Sequence, residues 1–237
     1  MRAWQVRELG EPRDVLALAE VPDPEPGPGQ VLVRVLAAAA NFPDVLMCRG
    51  GYQVRPPLPY TPGIELCGEV VTPGPGVTGF APGDRVIGGP AMPFGAFAEL
   101  ALMNSGSILP APDGLDDAEA AAFFITYQTG WFGLHRRARL AAGETLLVQA
   151  AAGGVGSGAV QLGKAAGARV IGVVGGAQRP RRPAPSARTW WSTGSPRTSS
   201  RWSRRSPRGA APTWCTTRSA ATPTPGPPSA SRSRAGS

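Results

Sequence analysis

Leu146-Leu147-Val148-Gln149-Ala150-Ala151-Ala152-Gly153-Gly154-Val155-Gly156-Ser157 is the segment on which the fold assignment turns. Leu146 to Val148 is a short apolar run of the kind a buried parallel strand shows. Ala151 to Gly156 is a glycine-rich turn, and Ser157 to Ala166 reads as a helix that Gly167 stops. Arg169 to Val174 is β-branched and apolar, the next strand. Strand, glycine turn, helix and strand make a βαβ unit. The turn itself is the dinucleotide fingerprint G-x-G-x-x-G with Ala at its first position. Small residues there let the backbone approach a pyrophosphate, Gly156 lets the helix lie close to the strand, and the free N–H groups at the helix start face the anion. A bare glycine pattern is weak, but the strand before it and the helix after it are the context the motif requires. The candidate cofactor-binding residues are Ala152, Gly153, Gly154, Val155 and Gly156, with Gly175 at the end of the second strand. An NAD-preferring site carries an acid at that strand end to bond the ribose hydroxyls. Here the strand ends Val173-Val174-Gly175-Gly176 with no carboxylate, which points to NADPH. The other reading is that the acid has been lost with the sequence that follows.

Upstream, the first 110 residues read as β-rich. Val31 to Leu36 is a strand launched by the breaker-rich Pro22 to Gly29, and Ile64 to Val71 is another, ended by Thr72-Pro73-Gly74-Pro75-Gly76. Ala81-Pro82-Gly83-Asp84 turns into the strand Arg85 to Gly88, and Gly95 to Leu102 is a further strand. Many short strands at this spacing predict a barrel or sandwich. Asp116 and Asp117 then head a capped helix over Ala118 to Phe124, and Tyr127 to Leu140 reads as a second helix.

Downstream, the composition breaks. From Ala177 to Ser237 there is no Asp, Glu, Lys, Leu, Ile, Val, Met or Phe, yet 12 of the 24 basic residues, all Arg, fall there. The body before it carries −4 and the tail +12, so the net charge of +8 says little about partners of the folded part. Without aliphatic side chains such a tail does not bury enough apolar area to offset chain entropy, and the expectation is a non-native or disordered segment. A reading-frame shift near residues 176–179 accounts for the break. Every codon that begins with T supplies a middle T to the shifted codon, and middle-T codons encode apolar residues. Trp190, Trp191 and Trp214 therefore all give apolar letters. The stretch from Arg188 to Gly194 can then read Asp-Val-Val-Val-Asp-Arg. The stretch from Pro212 to Pro225 can read Asp-Val-Val-His-Asp-Pro and onward. The rival reading is a natural Arg/Ser/Pro-rich arm, with interleaved Trp, for nucleic acid or acidic surfaces; composition alone supports it, and no nucleic-acid partner is expected.

Cys48, Cys67 and Cys215 show no paired spacing, which suits a reducing compartment. Arg2, Arg7 and Glu8 near the start argue against a signal peptide, and Ala120 to Ile125, the longest apolar stretch, is far too short to span a membrane. The expectation is a cytoplasmic protein with no membrane partner.

On its motifs the chain resembles the zinc-free quinone oxidoreductase branch of the medium-chain dehydrogenase/reductases, the NADPH:quinone reductases. The residues that carry the resemblance are Ala40-Asn41-Phe42-Pro43-Asp44, Gly51-Tyr52, Pro57-Leu58-Pro59-Tyr60-Thr61-Pro62-Gly63-Ile64-Glu65, Gly83-Asp84-Arg85-Val86, and Ala150 to Gly156 with Gln161 and Lys164. The resemblance implies an α/β protein with a β-rich GroES-like catalytic domain over residues 1–120. The start of a Rossmann doubly wound parallel sheet follows over 121–176, and the tail 177–237 lies outside the family pattern. It implies a homodimer for an intact member and a small quinone or enone as substrate. Zinc-dependent relatives carry His where Ile64 stands, and Asn41 to Asp44 replace the segment of their first zinc cysteine. One His and three scattered Cys make no zinc set. Without a Lewis acid, alcohol oxidation is disfavoured, whereas reduction of an electron-poor acceptor needs no metal. By resemblance, Asn41 and Tyr52 are the candidate catalytic residues, Asn41 near the nicotinamide and Tyr52 lining the acceptor pocket. Thr126 and Thr129 join Asn41 as cofactor contacts. Two plainer readings stay open: Tyr52 as a turn aromatic after Gly50-Gly51, and Asn41 as a local turn-former before Phe42-Pro43. Cys48 and Cys67 read as buried small residues and His135 as an exposed helix residue.

Overall fold

The structure, a computed structural model, describes residues 1–175, 190–193 and 213–215. Its N-terminal part is built on a five-stranded antiparallel sheet. The strands are β3 (Gln30–Ala38), β4 (Leu66–Pro73), β5 (Arg85–Gly88), β6 (Leu100–Asn104) and β7 (Leu109–Pro110), in the order β6-β3-β4-β5-β7. A hairpin of β1 (Arg2–Val6) and β2 (Leu16–Glu20), with the short α1 (Pro12–Val15) between them, lies alongside. Alternate residues of β3 enter the core: Val31 and Val33, with Leu66, Val70, Val86, Ala101 and Met103, form one buried cluster. Burial of such side chains stabilises by about 1.5–3 kcal/mol each. Between β3 and β4 the chain makes α2 (Phe42–Cys48), where the sequence suggests only a turn.

The second part is a parallel sheet. β8 (Thr145–Gln149) leads through the glycine turn into α4 (Gly154–Ala165), and β9 (Arg169–Val174) returns parallel to β8. Helix α4 begins three residues earlier than its side-chain pattern predicts, because the glycines themselves form its first turn. Two short strands from the tail extend the sheet: β10 (Trp190–Thr193) pairs parallel with β9 and β11 (Thr213–Cys215) pairs parallel with β8. The order β10-β9-β8-β11 is third, second, first, fourth, the doubly wound arrangement. The hydrophobic pattern accounts for only two of these strands. Thr and Trp fit a pleated strand without being aliphatic, so backbone pairing survives where a hydrophobic pattern search finds nothing. The expected disorder of the rest of the tail, and the proposed shift point, lie outside the described residues.

Helix α3 (Asp117–Trp131) joins the two parts. The sequence suggests two helices parted at Ile125-Thr126; the structure holds one helix through that point, followed by a π-helical turn at Phe132–Arg137. Its front half buries Ala120 and Ala121 against Cys67 and Ile87 of the antiparallel sheet. Its rear half packs on α4, where a methyl group on Gly130 would stand 3.0 Å from Leu162. Contacts at both ends override the weak helix preference of the β-branched pair.

Candidate active site and cofactor cradle

The glycine turn is shaped by close approach. The side-chain-less Gly156 is packed so tightly over Ala150 that an added Cβ would overlap the Ala150 carbonyl. Gly158 is under a milder limit: a Cβ there would stand 3.0 Å from Thr126 Cγ2. Ala150 has φ of +53°, and its carbonyl accepts the Gly153 N–H at 2.9 Å. By contrast Ala152, Gly153 and Gly154 are exposed, Val155 is half-buried, and the N-cap residue Gly153 offers no side chain to the helix start. The first-turn N–H groups of α4 are therefore left to an outside acceptor. Bare backbone, open space above it and the positive end of a helix suit a pyrophosphate. Gly175 is exposed with no atom within reach of a built Cβ, and β9 ends at Val174 with no acid at its described end.

Thr126 borders this turn: its Oγ1 would lie 3.5 Å from a Cβ on Gly154. Thr129, one turn further along α3, is exposed in an open hollow with Gln128, Trp131 and Phe132, which contains none of the glycine-turn residues. Tyr127 donates its hydroxyl to Gln161 Oε1 on α4 at 2.6 Å and stacks on Phe123.

Asn41 occupies the N-cap position of α2, so the turn-forming reading describes its backbone. Its N–H donates to Asp44 Oδ2 at 2.7 Å. Its side chain faces elsewhere: Nδ2 donates to Glu65 Oε1 at 2.8 Å and to the Ala39 carbonyl at 3.3 Å. The other Glu65 oxygen, Oε2, accepts the backbone N–H of Ile125 in α3 at 2.8 Å. Glu65 is 1 % exposed, and burial raises its carboxyl above the usual range, with the Asn41 and Ile125 bonds acting in the opposite direction. Asp44 is also buried; it accepts the Gly63 N–H at 3.0 Å, and burial likewise raises its carboxyl. Gly63 has φ of +101° and no room for a side chain beside Phe97, so this bond fixes the turn that delivers Ile64 and Glu65. In the sequence, Asp44 and Glu65 are motif letters without an assigned role. The signal is there nonetheless: an acid inside an apolar strand run needs a partner.

Tyr52 is half-buried on the cluster of Val6, Met47, Cys48 and Tyr60, against which Ile64 and Met92 also pack. It is packed rather than free, which accommodates both the turn-aromatic and the pocket reading. Cys48 and Cys67 are buried free thiols. His135, expected to be exposed, is half-buried with its ring 5.8 Å from Trp131. Among the described residues no group of His, Cys, Asp and Glu gathers to hold a metal, and no helix is long and apolar enough to cross a membrane.

Comparison with known proteins agrees with this geometry. Residues 27–113 match the alcohol dehydrogenase GroES-like domain. The chain is 38% identical over 175 residues to a quinone oxidoreductase of Rattus norvegicus, a match covering 74% of this chain and 53% of the relative. The structure superposes on a mycobacterial quinone oxidoreductase with a TM-score of 0.68 at 35% identity, covering 75% of this chain and 54% of that one. It also superposes on the quinone oxidoreductase of Thermus thermophilus, described with its NADPH complex, with a TM-score of 0.66 at 36% identity, covering 81% and 60%. The chain thus spans about half the length of the curated relatives it matches. Residues 27–113 thus carry an alcohol dehydrogenase GroES-like domain, and in fold, glycine turn and sequence the chain is similar to quinone oxidoreductases.

Proposed function

We propose that this chain carries the catalytic domain and the first half of the cofactor domain of an NADPH-dependent, zinc-independent reductase of quinones or enones. The observation that carries the proposal is the continuous link from Asn41 through Glu65 and Ile125 to Thr126 at the edge of the glycine turn. This link supports reading the Asn41 amide and the glycine turn as parts of one site. When bound, the dinucleotide supplies a hydride; the chain supplies position. The first turn of α4 and the backbone of Gly153 and Gly154 would hold the pyrophosphate, Thr126 would close the side of the cradle, and the family resemblance adds Thr129, from the neighbouring hollow on α3, as a further cofactor contact. Asn41 would lie near the nicotinamide, and Tyr52 would line the acceptor pocket. Ile64 leaves no zinc ligand beside Glu65, so the acceptor must already be electron-poor. The quinone oxidoreductases named above support this class of acceptor, and the missing acid after β9 supports NADPH over NADH. An intact member of this family would form a homodimer, and the unpaired cysteines suit the cytoplasm. Steady NADPH oxidation with a quinone and with an enone tests the class. Oxidation of a simple alcohol by the same protein, without either, contradicts it.

A second reading concerns the chain as written, and the sheet favours it. Trp has one codon, so in the shifted frame the codon across Trp190–Trp191 is GTG, valine, with no freedom of choice. The codon across Trp214 and Cys215 is also GTG. Both fall inside the two tail strands, β10 and β11, which pair beside Ile171–Gly172 and Leu147–Val148. The tail thus keeps the places of the third and fourth strands with the wrong side chains for a buried sheet. We infer that a frame shift has crippled this product, leaving an inactive fragment. The basic arm as a binding segment is the competing outcome. Sequencing the gene decides between them: a closed or strand-poor shifted frame removes the shift, and salt-sensitive nucleic-acid binding by the full chain restores the arm.

A further inference from the structure

We propose that Glu65 is a positioning residue: its single buried carboxylate locks the candidate catalytic Asn41 to the middle of helix α3. The inference rests on the reductase reading above and gives it a device the family pattern does not state. Four observations carry it. Glu65 is 1 % exposed and has no ion-pair partner among the described residues, so its two oxygens are satisfied by the two neutral donors already described. Those donors come from different parts of the chain, Asn41 from the loop before α2 and Ile125 from the helix that packs on α4. Ile125 adjoins Thr126, which borders the glycine turn. Asn41 is held at its backbone by Asp44, so only the side-chain amide remains to be aimed, and Glu65 at 2.8 Å aims it, with the Ala39 carbonyl at 3.3 Å as the longer second acceptor.

The choice of a carboxylate follows from the donors. Two N–H groups arriving from opposite sides need two acceptor oxygens on one planar group, and a carboxylate is the side chain with two acceptors and no donor. Glutamine keeps the shape and supplies only one acceptor, so its NH₂ must face either the Asn41 amide or the Ile125 N–H. Aspartate keeps the charge and falls one methylene short of the span. Neither substitution changes the glycine turn.

The test uses the 237-residue chain, with Glu65→Gln and Glu65→Asp, by amide hydrogen exchange at Ile125 and by the Asn41 side-chain NMR signal. The lock predicts exchange at Ile125 faster by about tenfold or more in Glu65→Asp, the equivalent of losing one charge-assisted bond, and in Glu65→Gln either the same acceleration or a freed Asn41 amide, according to which donor the NH₂ faces. It also predicts a shifted Asn41 Nδ2 resonance, while exchange in the distant β3–β6 ladder stays unchanged. A role confined to general stability predicts instead that Ile125 and that ladder speed up together, which overturns the proposal. So does a Glu65→Gln chain with both readouts unmoved. The frame-restored protein adds a second arm: kcat with a quinone falls about tenfold in Glu65→Gln while the NADPH dissociation constant stays within about threefold. If the frame-restored parent consumes no NADPH, the reductase reading fails, and the exchange data still decide the lock.

Discussion

Asp44 shows what a single buried carboxylate does here. It holds two backbone N–H groups, of Asn41 and Gly63, and burial raises its carboxyl above the ordinary 3.8. A carboxyl raised on folding contributes stability that is fully present below 3.8 and is lost as pH rises through the folded value. The stability difference between the parent and Asp44→Asn, measured by urea unfolding from acid to neutral pH, should therefore shrink as pH rises. A difference that grows with pH contradicts the assignment. Gly156 makes a steric prediction. Gly156→Ala drives a methyl group into the Ala150 carbonyl and should cost about 1–3 kcal/mol or more, read as a fall in Tm. An unchanged Tm means that the turn is looser than this packing. At this scale the sequence is legible where backbone geometry demands a residue type, as at Gly153 to Gly156. It is half legible at Glu65: an acid in an apolar run calls for a partner, but nothing local in Ile64-Glu65-Leu66 reveals that Asn41 and Ile125 supply it.

Among the elements, α3 does the most to organise the site. Asp116 caps it by accepting the Glu119 N–H at 2.8 Å, and Glu119 reaches back to the Asp116 N–H at 3.3 Å. Asp116→Ala should cost about 1 kcal/mol and lower the thermal midpoint without altering the sheet signal in circular dichroism. The cap is readable from Asp116-Asp117 ahead of an apolar run. The helix length is not, since Ile125-Thr126 argues for a break and only packing on Ile87 at one end and Leu162 at the other keeps the helix whole. Strands β5 and β9 are readable to their end residues because β-branched runs sit between strong turns. The edge strands β1, β2 and β7 escape notice because short, half-exposed segments have no clear alternation. The tail strands β10 and β11 are invisible to any hydrophobic pattern for a different reason: their residues keep strand propensity without strand hydrophobicity.

In the molecule as a whole, two parts meet across α3, and the second part carries the consequence of the tail. A doubly wound sheet buries both faces, and its strands are apolar throughout in consequence. β8 and β9 meet that demand with Leu146, Val148, Val170 and Val174 buried. Between Ala177 and Ser237 there is no aliphatic residue larger than alanine to continue it, apart from proline. The antiparallel-sheet part and the glycine turn should therefore be formed, and the far side of the proposed cofactor site poorly enclosed. The sharpest check is NADPH fluorescence titration, run side by side on the 237-residue chain and on the protein expressed from the frame-restored gene. The restored protein should bind NADPH saturably, and the chain as written should bind it at least about tenfold more weakly, a loss of ~1.4 kcal/mol or more. Equal and tight binding by both chains, or none by the restored protein, contradicts a crippled cofactor domain.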